Sequence, residues 1–219
     1  MKFKTSMLLG LIVIGILFGI TFYMYPGLPD PMPSHWNASG EVDGYMAKPW
    51  GAFILPLSCL GTWAMFLLIV YISPQGFRVD KFKPVIGILQ LATTGFMTGI
   101  GVLVLLSAQG SEIKFENFII PAVGLLLIVL GNYMSKLRKN FFVGIKTPWT
   151  LASDEVWDRT HRFAGWIFVI GGILLFFQPL VGKAWYMVSI ILIAALLPLI
   201  YSFVIYRQLE GFEPEPEDD

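Results

Sequence analysis

The chain has 219 residues, of which 56% are hydrophobic and 14% charged, and its mean hydropathy is +0.70. Soluble domains carry about 25% charged residues, and one of this size cannot hide so much apolar surface, which excludes disorder and disfavours a soluble enzyme. Fifteen basic and fifteen acidic residues cancel, and the single cysteine, Cys59, permits no internal disulfide.

In chain order, six apolar blocks of 17 to 24 residues lack Asp, Glu, Lys, Arg and His: Thr5–Tyr25, Gly51–Ile72, Val85–Ala108, Phe118–Met134, Phe163–Leu180 and Trp185–Tyr206. Such lengths suit helices that cross a hydrocarbon core of roughly 30 Å. The short alternating strands of a membrane barrel are absent. Twelve Lys and Arg fall on one side of this arrangement: Lys2, Lys4, Arg78, Lys81, Lys83, Lys136, Arg138, Lys139, Lys146, Arg159, Arg162 and Arg207. The other side has three, Lys48, Lys114 and Lys183. The positive-inside rule then predicts an all-α polytopic cell-membrane protein with six transmembrane helices and both termini cytoplasmic. The first block runs 21 residues and ends in Tyr-Met-Tyr-Pro-Gly, which reads as an uncleaved anchor and not a signal peptide.

The organisation reads as a two-span domain over 1–84, a linking third span over 85–116, a second domain over 117–209 and a disordered tail over 210–219. That tail has six acids and two prolines in ten residues. Spans free of ionisable groups argue against a proton-coupled transporter or ion pump. Gln90, Thr93, Thr94, Asn132 and Gln178 are expected to hydrogen-bond between helices. Gly15-x-x-x-Gly19 and Gly95-x-x-x-Gly99 are expected to allow close internal helix packing, and Pro56, Pro121 and Pro198 to kink or start helices.

The predicted outer loop, Pro26–Trp50, opens with Pro29, Pro31 and Pro33, which favour an extended start. Asn37-Ala-Ser39-Gly and Asp43-Gly44 supply turns, and Trp36, Tyr45 and Trp50 suit the membrane interface. His35, Glu41 and Asp43 form a weak metal-donor set that turn formation and packing outweigh. The triplet Asn37-Ala-Ser39 is also a glycosylation sequon of a kind common by chance.

In the predicted inner loop, Ser135–Arg162, Ser153 followed by Asp154 and Glu155 marks a helix start that runs into the fifth span. Thr147-Pro148 suits a turn before it, and Trp149, Trp157 and Phe163 suit packing against the bundle. Asp154, Asp158 and His161 share a helix face, an incomplete metal or catalytic set. An ion-paired face with Asp158 near Arg162 is the stronger reading. No nucleophilic triad or phosphate loop is present, so no enzyme, cofactor or metal is expected.

Leu28-Pro-Asp-Pro-Met-Pro-Ser-His-Trp-Asn-Ala-Ser-Gly-Glu-Val-Asp-Gly resembles the amino-terminal uncharacterised domain of the SdpI family, bacterial immunity proteins against a sporulation-delaying toxin. Gly131-Asn-Tyr-Met, Asn140, Gly144-Ile-Lys-Thr-Pro-Trp-Thr-Leu, Glu155-Val-Trp and Thr160-His-Arg resemble that family's carboxy-terminal motif. The resemblance implies a non-enzymatic inner-membrane protein that protects its cell from a secreted toxic peptide. It further implies a signal transducer that holds a cytoplasmic helix-turn-helix repressor at the membrane, without itself binding nucleic acid. Toxin sensing would then fall to His35, Trp36, Asn37, Glu41 and Asp43. The inner motif would comprise Asn140, Gly144, Lys146, Thr147, Pro148, Trp149, Trp157, Asp158, Arg159 and His161. The alternatives are a small peptide or lipid transporter or flippase, and a membrane enzyme using Asp154, Asp158 and His161.

Overall fold

The computed structural model describes residues 1–37, 40–74, 79–111 and 116–210. Ser39, Arg78, Lys114 and the acidic tail beyond Glu210 lie outside the described residues, as does the side chain of Lys81.

Long helices dominate. Helix α1 spans Phe3–Met24 and gives way to a single turn at Tyr25–Gly27, where Pro26 has no N–H to continue the ladder. A hairpin follows, β1 (Met32–Trp36) antiparallel to β2 (Val42–Met46). Helix α2 covers Lys48–Ile72, with a proline in its first turn and its first N–H, that of Lys48, donated to Asp30 Oδ1 at 3.2 Å. Helix α3 covers Lys83–Ala108 and α4 covers Glu116–Met134. A compact segment then leads to the short α5 (Pro148–Ala152), the long α6 (Asp154–Phe176), the single turn α7 (Gln178–Val181) and α8 (Ala184–Leu209). The six long helices run alternately between a hairpin end and a motif end.

Among the described residues, five helices are long and apolar enough to cross a membrane: α1, α2, α3, α4 and α8. The other long helix, α6, begins with Asp154, Glu155, Asp158, Arg159, His161 and Arg162, so only its second half is apolar. The expected fifth span, Phe163–Leu180, is also interrupted. Helix α6 stops at Phe177, because Pro179 lacks an N–H, and α7 ends at Gly182 with φ +62°.

Helix α1 packs on α2 and α3, α4 packs on α6, and α6 packs on α8; α3 meets α4 along the seam between these groups. Buried side chains cluster at three levels. Met24, Leu28, Met32, Ala52 and Leu105 lie at the hairpin end, Ile14, Leu17 and Cys59 at mid-height, and a larger group around Phe66, Ile86, Met134 and Trp157 at the motif end.

The glycine expectation is corrected. Cβ atoms added at Gly15, Gly19, Gly95 or Gly99 would meet nothing within 4 Å, so these pairs face away from any neighbouring helix. The close approach lies between α4 and α6. A Cβ on Gly124 would fall 2.5 Å from the Gly172 carbonyl oxygen, and one on Gly131 would fall 2.7 Å from that of Gly165. Each pair is seven residues apart on its own helix, two turns, so the two contacts stack along one backbone-to-backbone seam. Among the polar residues, the hydrogen bonds of Gln90 and Asn132 run along their own helices and not between helices: Gln90 Nε2 donates to Thr94 Oγ1, and Asn132 Nδ2 to the Ile128 carbonyl. Space for Gln90 comes from the missing side chain of Gly10 on α1.

Candidate functional site

At the motif end, residues 137–161 wrap around buried polar side chains whose bonds are nearly all internal. Asn140 is fully buried. Its Oδ1 accepts from the N–H groups of Phe142 and Val143, and its Nδ2 donates to the carbonyls of Arg138 and Val143. One amide thus folds the loop using its full bonding capacity. The chain then reaches Gly144, with φ +118°. A Cβ there would lie 2.5 Å from His161 Nε2 and 3.2 Å from the Trp157 ring, so glycine is required for both backbone shape and space.

His161 and Trp157 are fully buried and stacked, with centroids 4.0 Å apart and planes 20° apart. Trp157 Nε1 donates to the Leu137 carbonyl at 2.8 Å. His161 Nδ1 donates to the Trp157 carbonyl at 2.8 Å, and Nε2 accepts the Ile145 N–H at 3.0 Å. A carbonyl can only accept and an amide can only donate, so the ring is neutral with its proton on Nδ1. Burial lowers its pKa to about 4, against an opposing contribution from the Trp157 carbonyl.

This neutrality has a measurable consequence. The unfolded chain protonates His161 near pH 6.5, whereas the folded chain resists until about 4. The stability contribution is therefore fully present above pH 6.5 and is lost as pH falls toward 4. Between pH 7 and pH 5 the loss should be about 2 kcal/mol. Thermal unfolding in detergent across that range should show it, and His161→Gln, which cannot ionise, should flatten the slope by that amount.

Thr147 caps α5 through a reciprocal box: its Oγ1 accepts the Thr150 N–H, and Thr150 Oγ1 accepts the Thr147 N–H. Thr147-Pro148 thus starts a short helix, where a turn was expected. Thr147 Oγ1 lies 3.2 Å from Ser202 Oγ, and Trp149 meets Phe203 edge-on, so α5 is tied to α8. Ser153 caps α6 by accepting the Val156 N–H, as its sequence position implied. Lys146 Nζ donates to the Phe141 and Phe142 carbonyls.

The charged face differs from expectation. Asp158 pairs with Arg138 at 3.6 Å and not with Arg162, Asp154 pairs with Lys139 at 2.5 Å, and Arg159 pairs with Glu155 at 2.6 Å. Asp154 is 82% exposed while His161 is fully buried with both nitrogens engaged, so Asp154, Asp158 and His161 do not converge. No group of three or more His, Cys, Asp or Glu among the described residues could hold a metal.

At the hairpin end, Asn37 and Glu41 close the turn. The Asn37 N–H donates to the Glu41 carbonyl, and the Glu41 N–H donates to Asn37 Oδ1. His35 Nδ1 lies 2.5 Å from Asp43 Oδ1 across the strands. Asp43-Gly44 is strand and not turn. Gly44 pairs with His35 beside a register shift, and a Cβ there would fall 2.8 Å from His35 Cβ. Met32, fully buried, anchors the hairpin against Gly51 of α2.

Beneath the hairpin lies a cavity of about 880 Å³. Residues 33–37 of the hairpin, α2, α3, α4, α7 and α8 all contribute to it, so no linear motif could have revealed it. Of the expected toxin-sensing residues, it gathers His35, Trp36 and Asn37; Glu41 and Asp43 do not line it.

The fold is that of a multi-pass membrane protein with a small hairpin at one end and a polar knot at the other. Residues 136–202 match the SdpI/YfhL protein family, and residues 12–60 match a domain of unknown function, DUF1648. The SdpI/YfhL match thus lies behind the DUF1648 match along the chain. The first match holds the knot and reaches Ser202; the second holds the hairpin and the helix ends that carry it. The chain is also similar to the immunity protein SdpI of Bacillus subtilis (strain 168), at 26% identity over 213 residues, covering 93% of this chain and 97% of that protein. No solved structure matches.

Proposed function

We propose that this is a membrane immunity protein that protects its cell from a secreted toxic peptide, with the hairpin end outside and the motif end in the cytoplasm. The observation that carries the reading is similarity to an immunity protein along almost the whole chain. The distribution of Lys and Arg supports the orientation. The hairpin and its cavity would meet the peptide. The knot would present the ion-paired face around Asp158 and Arg159 to a cytoplasmic helix-turn-helix repressor, held at the membrane when peptide is bound. The reading is of a binding protein and not an enzyme. A transporter needs a polar route through the bundle, whereas the cavity's lining residues belong to the hairpin end and are mainly apolar.

The test is deletion and complementation under challenge with secreted peptides of related strains. Trp36→Ala or Asp43→Ala should reduce survival at least tenfold. Asp158→Ala or Arg159→Ala should spare survival and reduce membrane capture of a tagged repressor. Cysteine labelling should find residue 40 outside and residue 150 inside. Full survival without the gene would remove the immunity reading, and unseparated readouts would remove the signalling part.

A further inference from the structure

We propose that the cavity beneath the hairpin binds an uncharged, apolar peptide segment and holds one of its backbone amides on Gln178. This deepens the immunity reading and rests on it. The volume, about 880 Å³, is within the usual range for ligand sites. Ile54, Leu55, Val104, Ile120 and Met187 give it apolar walls.

One buried group breaks that apolar surface. Gln178 lines the cavity, its side-chain amide has no hydrogen bond to another described residue, and neither amide atom is sealed off from the cavity. An amide that faces a cavity and is unbonded within the protein offers its donor and acceptor to an occupant. A peptide group complements it, because each offers one carbonyl acceptor and at least one N–H donor. The break between α6 and α7 places this residue in the wall.

Charge selects between occupants. Among the described residues no Lys or Arg lines the cavity, and Lys183, between two lining residues, is exposed and outside the lining. A lipid phosphate or a charged side chain entering it would lose hydration without gaining a counter-charge. The polar groups at the rim include Ser34 and Asn117, neutral hydrogen-bonders suited to an extended backbone.

The experiment uses the full chain in phosphatidylglycerol and phosphatidylethanolamine nanodiscs, with a photoactivatable residue replacing Asn117. The probes are an end-capped Leu/Ala/Gly peptide, the same peptide carrying two lysines, and a labelled phosphatidylglycerol. The capped peptide should crosslink saturably, and the lysine version should need at least tenfold more. Ala184→Trp, which fills the space, should raise half-saturation more than tenfold; Gln178→Leu, close in size, should raise it about fivefold. Both variants are compared at equal folded amount, and Gln178→Leu decides if Ala184→Trp does not fold. Crosslinking indifferent to Gln178→Leu and to any folded Ala184→Trp, or peptide displaced by labelled lipid, overturns the proposal. The same variants in challenged cells separate the two readings. Saturable, variant-sensitive crosslinking without protection by the wild type would sink immunity and leave the site. Protection undiminished in the folded variants would sink the site and leave immunity.

Discussion

Gly144→Ala should destabilise the protein by about 3 kcal/mol or more, from two sources. A side chain at φ +118° carries backbone strain of order 1–3 kcal/mol. The new methyl would also sit 2.5 Å from His161 Nε2, and overpacking of that kind costs about 1–3 kcal/mol more. Gly110→Ala isolates the first contribution: its φ is +86° and a Cβ there would meet nothing within 4 Å. Thermal unfolding in detergent should therefore show a small loss for Gly110→Ala and a larger one for Gly144→Ala. Equal losses would mean that His161 and Trp157 yield without cost, and that the knot is looser than its bonds imply.

Gly172→Ala should cost about 2–3 kcal/mol, while Gly15→Ala and Gly95→Ala leave stability unchanged or slightly raised. The added carbon at Gly172 would meet backbone, the Gly124 carbonyl oxygen at 2.5 Å and the Ile128 nitrogen at 2.9 Å, which cannot swing aside as a side chain can. Helices in lipid associate through such close packing. Unfolding of purified variants decides it, and a Gly172→Ala protein as stable as Gly15→Ala would show that α4 and α6 do not need their seam.

The long helices were legible because lipid demands long uncharged runs, and α3 and α4 keep their expected last residues. The cap at Ser153 was legible from the acids behind it. The hairpin was not: β1 contains Pro33 and Ser34, β2 contains Asp43 and Gly44, and neither run of residue types alternates apolar with polar, although β2 alternates in burial. The four seam glycines lack GxxxG spacing: on each helix they are seven residues apart, an interval that the usual small-residue motif does not mark. His161 shares a helical face with Asp154 and Asp158 by spacing, but the loop that Asn140 folds closes over the histidine alone. Thr147-x-x-Thr150 forms a capping box, where Thr147-Pro148 alone suggests only a turn. The cavity depends on six elements meeting, which no local pattern encodes.

The α4–α6 seam also sets the mechanics of the molecule. Contact between backbones has no rotamers to exchange, so the two helices resist sliding and tilting against each other and act as one stiff strut. Helix α6 has 23 residues, about 34 Å at 1.5 Å per residue. Its upper end is the break at Phe177 beside Gln178, and its lower end carries Trp157 and His161. The stiff pair spans the distance between the cavity and the knot as one unit, bordered by α3 on one side and α8 on the other.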